Sequence, residues 1–209
     1  PGKVVFSGVG KQVWEIEAAL KAGVKCFNVE SEAELERVAQ VAERMNVKAP
    51  VSLRVNPDVD ARTHPYISTG LKDNKFGVPI DQAPRIYARA QALPSLNIVG
   101  VDCHIGSPIT EVSPYLDALD KLIKLILALK EQGVNLTHLD LGGGLGIRYT
   151  DETLVTPTQL LTEVFSALDT NGLGHLEIVL EPGRSMVGNA GVLLSRVEYL
   201  KHGETKNFA

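Results

Sequence analysis

The chain has 209 residues, is 44 % hydrophobic, and sets 21 basic against 25 acidic side chains for a formal net charge of −4. This balance offers no basic field to a nucleic acid, and no Lys/Arg cluster with interleaved aromatics occurs. The longest apolar run in the second half is interrupted by Lys121, Lys124 and Lys130, so no membrane span is expected.

Apolar strand-like runs alternate with amphipathic segments along the chain. Residues 3–7 read as a short strand, and 11–22 as a helix with Val13, Ile16, Ala19 and Leu20 on one face. Residues 26–29 form the next strand. Ser31 then caps a helix, with Glu34 as its reciprocal capping-box partner and Leu35, Val38, Ala39 and Ala42 as the apolar stripe. The third strand, 51–56, alternates Ser52, Arg54 and Asn56 with Val51, Leu53 and Val55. A polar loop over 57–76 is long enough to be a functional suspect.

The second half continues the pattern. Residues 81–91 predict a short helix with Pro84 in its first turn, 96–103 a strand, and 112–130 the longest helix. Leu116, Leu119, Ile123, Ile126 and Leu127 face inward on that helix. A strand at 138–141, a helix at 158–168, a strand at 176–180 and an extended run over 192–199 complete the chain. Six βα units with apolar, proline-free strands imply a parallel sheet covered by helices. Periodicity leaves two folds open, a doubly wound open sheet and a (β/α)8 barrel lacking two units; both carry ligand loops at the C-terminal strand ends.

Three of those strand ends hold the chemistry. Gly142, Gly143, Gly144 and Gly146 follow the strand ending at Leu141, where glycine lets the backbone turn tightly and aim N–H groups at a phosphate. No Gly-Lys-Ser/Thr follows, which excludes a Walker A loop. Cys103-His104-Ile105-Gly106-Ser107 sets an imidazole and a hydroxyl at another strand end, and Glu181-Pro182-Gly183-Arg184-Ser185 a carboxylate and a guanidinium at a third. A glutamate there can hold a protonated ring nitrogen, and Arg184 can pair with a carboxylate or phosphate. Read structurally instead, Glu181 and Arg184 form only a local ion pair on the rim. Arg54 lies inside a strand and needs a carboxylate or a polar network if it points inward. Asp58, Asp60 and Asp73 lack the ligand spacing of a calcium site, and no metal is expected. Cys26 and Cys103, both in apolar runs, form no Cys-x-x-Cys, so a reducing cytoplasm is the expected compartment. The missing initiator methionine and the stop at Asn207-Phe208-Ala209 lead us to expect a piece of a longer protein.

Taken together, Phe6-Ser7-Gly8, Asn28-Val29-Glu30-Ser31, Arg54-Val55-Asn56-Pro57, His64 through Gly70, Lys75-Phe76-Gly77, His104-Ile105-Gly106-Ser107, Gly142-Gly143-Gly144 and Glu181-Pro182-Gly183-Arg184-Ser185 resemble the diaminopimelate decarboxylases, a branch of the fold-type III pyridoxal-phosphate decarboxylases. The resemblance covers nearly the whole chain. It implies a (β/α)8 TIM-type barrel of the alanine racemase-like kind, partial over residues 1–190, with 191–209 as an exit strand toward a C-terminal β domain. It implies pyridoxal 5'-phosphate as cofactor, with His104 on the ring face and Glu181 at the ring nitrogen as catalytic residues. Ser107, Gly142, Gly143, Gly144, Gly183 and Arg184 would hold the phosphate, Arg54 the polar network behind the cofactor, and Arg184 also the distal carboxylate of the substrate. A small amino-acid substrate and a homodimeric parent protein follow from the same resemblance.

The family's Schiff-base lysine is expected upstream of Pro1 and its partner-subunit cysteine segment downstream of Ala209. The chain alone is therefore expected to be inactive. Pro108 departs from the family pattern, in which glutamine or glycine follows the serine. The alternatives are a decarboxylase for arginine, ornithine or carboxynorspermidine, a racemase-like enzyme, which Glu181 opposes because racemases place arginine at the ring nitrogen, and a non-catalytic pyridoxal-phosphate-binding fragment.

Overall fold

The computed structural model describes residues 1–59 and 75–209. Six parallel strands form one sheet: β1 (Val5–Phe6), β2 (Cys26–Val29), β3 (Ala49–Asn56), β5 (Leu96–Asp102), β6 (His138–Asp140) and β7 (Glu177–Val179). A short strand, β4 (Val78–Pro79), which the sequence pattern does not reveal, pairs in parallel with the end of β3 at Val55. Each of the six strands lies beside its predecessor in the order β1-β2-β3-β5-β6-β7. A doubly wound sheet reverses its strand order at a switch point. This one never does, so the tie resolves to the barrel arrangement.

The sheet is strongly curved. Asn28 on β2 donates to Asp140 on β6 at 3.2 Å, although those strands are not neighbours. Lys25, just before β2, reaches Glu177 of β7 at 2.6 Å. The alternation read in β3 thus divides a concave polar face from a convex apolar one. Phe27, Val29, Val51, Leu53, Val55, Val101 and Leu139 are buried on the apolar side. Asn28, Ser52, Asn56, Asp102, His138 and Asp140 are equally buried on the polar side.

The helices cover the apolar face: α1 (Val13–Ala22), α2 (Glu32–Arg44), α3 (Ala83–Gln91), α4 (Ser113–Glu131) and α5 (Pro157–Thr170). On α2 the stripe Leu35, Val38, Ala39 and Ala42 is buried as read. On α4 Leu119, Ile123 and Ile126 are buried, with Leu116 and Leu127 packed at the edge of the core. Val13 is 39 % exposed, because it opens α1 at the rim rather than on the packed face. The segment 81–91 starts as a 3-10 turn, Ile80–Gln82, before α3. Helix α5 begins at a full capping box: Thr156 Oγ1 accepts the Gln159 N–H at 3.2 Å, and Gln159 Oε1 accepts the Thr156 N–H at 2.9 Å.

The box expected at Ser31 is only half made. Ser31 Oγ accepts the Glu34 N–H at 3.2 Å. The Glu34 carboxylate turns instead to Lys11 Nζ at 2.6 Å and to the Glu30 N–H at 2.9 Å. Lys11 takes one oxygen in a charge-assisted bond and the Glu30 N–H takes the other, so the carboxylate is spent before it can cap the Ser31 N–H.

After β7 a short helix, α6 (Gly183–Val187), is followed by 188–200 without regular structure. The extended run read at 192–199 is no strand here. Val192, Leu193 and Leu194 are at least 93 % exposed, since no strand edge in the described residues pairs with them. The chain ends in an antiparallel pair, β8 (Lys201–His202) and β9 (Asn207–Phe208), separate from the sheet. Among the described residues no helix is long and apolar enough to cross a membrane.

Candidate active site

The three strand-end segments converge. Gly142 and Gly144 hold φ of +67° and +98°, conformations that L side chains rarely adopt. A Cβ on Gly142, Gly143 or Gly144 would lie 2.4, 2.2 and 2.2 Å from the carbonyl oxygens of Cys103, Glu181 and Gly106. The glycines therefore let the loops after β5, β6 and β7 lie directly on one another. Two of their N–H groups are used inside the protein: Gly142 donates to Asp140 Oδ1 at 2.8 Å, and Gly143 to His104 Nδ1 at 3.1 Å. The Gly183 N–H likewise donates to the Glu181 carbonyl at 2.8 Å.

That bond fixes the His104 tautomer: Nδ1 accepts, so the ring proton sits on Nε2. Burial, with the Arg54 charge adding, pushes the imidazole down to about 4. His104 is thus a neutral ring over the site.

Glu181 and Arg184 do not form the rim pair that the structural reading allows. Ser7 donates to Glu181 Oε1 at 2.6 Å, across the arc from the end of β1. Arg184 reaches the other way: Nε donates to Ser107 Oγ at 3.2 Å, Nη1 bonds the Tyr149 hydroxyl, and the guanidinium carbon lies 5.9 Å from the Tyr149 ring centre. Ser107 precedes a cis peptide to Pro108.

Arg54 points into the concave face and finds the carboxylate it needs. Its Nη1 donates to Glu30 Oε1 at 2.9 Å, Nε lies 4.0 Å from Asp102 Oδ2, and the Phe76 ring centre is 5.1 Å from its guanidinium carbon. Glu30 Oε2 also accepts the Gly77 N–H at 2.9 Å, tying residues 75–77 to the strand end.

Below Glu181 lies a polar layer. Asn28 donates to Ser7 Oγ at 3.1 Å and to Asp140 Oδ2 at 3.2 Å. Burial, then the Glu181 charge, raises the Asp140 carboxyl to about 6 despite the hydrogen bonds from Gly142 and Asn28. Sequence reading gave no role to Ser7, Asn28, Asp102, Asp140 or Tyr149. The available signal was Asp102 and Asp140 standing in apolar strand runs, the same anomaly that exposes Arg54. Lys11, the one buried lysine among the described residues, spends Nζ on the carbonyls of Gly8 and Asn28, both at 2.7 Å, and on Glu34. His64 through Gly70, with Asp60 and Asp73, fall outside the described residues.

The arrangement fits pyridoxal phosphate on its own chemistry: a carboxylate with one oxygen held by Ser7, a neutral imidazole, and a hydroxyl beside a guanidinium, all at one end of the sheet.

Comparison with known proteins agrees. The family described as "Pyridoxal-dependent decarboxylase, pyridoxal binding domain" matches residues 1–188. The diaminopimelate decarboxylase of Pseudomonas aeruginosa is 58 % identical over 209 residues, which are 100 % of this chain and 50 % of that protein. That of Vibrio cholerae is 54 % identical over the same coverage. The crystal structure of the Helicobacter pylori diaminopimelate decarboxylase complexed with L-lysine superposes with a TM-score of 0.88 at 41 % identity, covering 99 % of this chain and 51 % of that one. The chain spans about half the length of the curated relatives it matches. The chain belongs to the pyridoxal-dependent decarboxylase family, its residues 1–188 matching the pyridoxal-binding domain.

Proposed function

We propose that the whole protein decarboxylates meso-2,6-diaminopimelate to L-lysine and CO2, the closing step of lysine synthesis, and that this domain grips the cofactor. The observation that carries the reading is the convergence of Glu181, His104 and Ser107 at one sheet end, each held there by a hydrogen bond from another residue of the site: Ser7 to Glu181, Gly143 to His104 and Arg184 to Ser107. Pyridoxal phosphate, when bound, supplies an electron sink for the carbanion left by departing CO2.

The protein's own groups do the rest. Glu181 holds the proton on the ring nitrogen, and Ser7 fixes the glutamate's other oxygen. Neutral His104 lies against the ring face without adding a positive charge. Ser107, Gly144 and the Arg184 backbone take the phosphate, while Gly183, whose N–H goes to the Glu181 carbonyl, gives the backbone room to approach it. Gly142 and Gly143 serve by shape, since their N–H groups are spent on Asp140 and His104. Arg184 also meets the distal carboxylate of the substrate, and Arg54 belongs to the polar network behind the cofactor.

The Schiff-base lysine and the cysteine segment come, in this reading, from parts of the protein outside these 209 residues, the latter across a homodimer in the cytoplasm. Residues 191–209 lead toward a further β-rich domain. Lys11 supports this division of labour, because its three hydrogen bonds leave no free amine for the cofactor.

A turnover screen of the full-length protein tests the substrate. Only meso-diaminopimelate should release CO2 and lysine; turnover of arginine, ornithine or carboxynorspermidine instead would overturn it. The 209-residue chain, given pyridoxal phosphate and then borohydride, should trap no stoichiometric adduct. A single-site adduct would sink the proposed division.

A further inference from the structure

Three carboxyl groups meet on the concave face at one level of the sheet. Asp102 ends β5, Asp140 ends β6 and Glu181 follows β7; one oxygen of each lies within 4.8 Å of the others. Two of the three have hydrogen-bond donors. Asp140 accepts from Gly142 at 2.8 Å and from Asn28 at 3.2 Å, one bond to each oxygen. Glu181 accepts the Ser7 hydroxyl at 2.6 Å.

Asp102 is 1 % exposed, and its Oδ1 has no hydrogen-bond partner among the described residues. Its Oδ2 lies 4.0 Å from Arg54 Nε, beyond hydrogen-bond reach, while Arg54 Nη1 is committed to Glu30. A buried carboxylate with one oxygen unpartnered among the described residues and the other facing a guanidinium only at 4.0 Å, beside two other carboxyls, is the member of the cluster least able to keep a charge.

We infer that Asp102 is a neutral carboxylic acid in the folded protein at neutral pH, so that the cluster carries two negative charges rather than three. Among the described residues the titratable groups around it bear on this state, and the adjacent Cys103 has its own ionisation raised, first by burial and then by the Asp102 charge. Asp140, Glu181 and Glu30 oppose a charge there and Arg54 favours one, while burial weighs most, and together they lift the carboxyl well above its usual range. Cys26 on β2 and Tyr87 on α3 feel the same field, each having its own ionisation raised chiefly by burial.

As an acid, Asp102 has a proton to offer the oxygens of Asp140 and Glu181. It is a positioning residue behind Glu181 and touches neither cofactor nor substrate in this account. Its consequence for catalysis rests on Glu181 serving the ring nitrogen. Its ionisation does not, and the test is therefore run on the full-length protein freed of cofactor and substrate.

Carbon-13 labelling of the aspartate carboxyl carbons reads each ionisation directly by NMR. One aspartyl carboxyl should remain neutral at neutral pH; its signal should vanish in Asp102→Asn and persist in Asp140→Asn, where it should ionise at lower pH than in the parent. The inference is overturned if every aspartyl carboxyl is ionised at neutral pH, or if the neutral signal survives Asp102→Asn. Should Asp102→Asn fail to fold, the parent and Asp140→Asn decide. A neutral signal that does not respond to loss of the Asp140 charge overturns it as well.

Discussion

Gly143 is the residue on which both sides of the proposed cofactor grip lean. Its N–H holds His104 Nδ1 at 3.1 Å, and a Cβ there would stand 2.2 Å from the Glu181 carbonyl oxygen. Ordinary Cβ contacts begin at 3.4 Å, so in Gly143→Ala the Glu181 backbone or the glycine loop must retreat by more than an ångström. The 2.6 Å bond from Ser7 to Glu181 does not survive a shift of that size. A hydrogen bond to a charged group contributes about 1.5–3 kcal/mol. Cofactor affinity should therefore fall roughly 10- to 100-fold in the full-length protein. Overpacking costs about 1–3 kcal/mol of global stability, so the variant folds with a lowered Tm. Gly183→Ala is the control: a Cβ there meets nothing within 4 Å, and stability should hold or rise by up to ~1 kcal/mol. Absorbance titration with pyridoxal phosphate and thermal melts read both quantities. A Gly143→Ala protein with parental affinity and Tm would refute the loop-on-loop argument.

Lys11→Met should destabilise the fold by about 3–5 kcal/mol, since it strands a buried carboxylate. The Lys11 and Glu34 side chains are only 1 % and 9 % exposed. Denaturant unfolding checks this, and a loss under ~1 kcal/mol would show that Glu34 finds other donors. His138 is pushed down to about 4, first by burial and then by the Lys25 charge. The folded state keeps it neutral while the unfolded chain takes up a proton near pH 6.5. Its stabilising contribution is thus present above pH 6.5 and lost as pH falls toward 4, about 3 kcal/mol in all. The stability difference between the parent and His138→Asn should change by that amount across the window; a pH-independent difference would contradict it. Tyr149→Phe removes one of the two anchors of Arg184 and should raise the KM for diaminopimelate more than it lowers kcat; a loss confined to kcat would argue against the substrate role of Arg184.

Much of this architecture is written in local pattern. The period-2 alternation of 51–56 places Arg54 on the polar face, and one charge inside a strand announces a carboxylate it must find, which the fold supplies as Glu30. The three strand-end segments are legible because glycine beside polar residues after an apolar run has few structural uses. What local pattern lacks is closure. Strand order, and hence barrel against open sheet, depends on which strands pair, and the bonds that reveal the curvature join residues more than a hundred positions apart. The same distance hides the roles of Ser7 and Asn28, which stand in motifs of the resemblance but show their use only where the arc brings them to Glu181 and Asp140. The glycine run is read as a set of phosphate donors, whereas its Cβ positions are blocked by neighbouring loops, a packing constraint no window of sequence contains. At Ser31 the local capping rule is overridden by a lysine from another strand's end.

In the proposed function the cofactor lies at the sheet end between His104, Ser107 and Glu181. A crystal structure of the full-length protein with pyridoxal phosphate tests it most directly. The ring nitrogen should lie within hydrogen-bond distance of Glu181, the ring against His104, and the phosphate beside Ser107. Density for the cofactor in the depression lined by Val9, Ser31, Arg37 and Lys75, with the Glu181 carboxylate bound to Ser7 and not to the ring nitrogen, would contradict it.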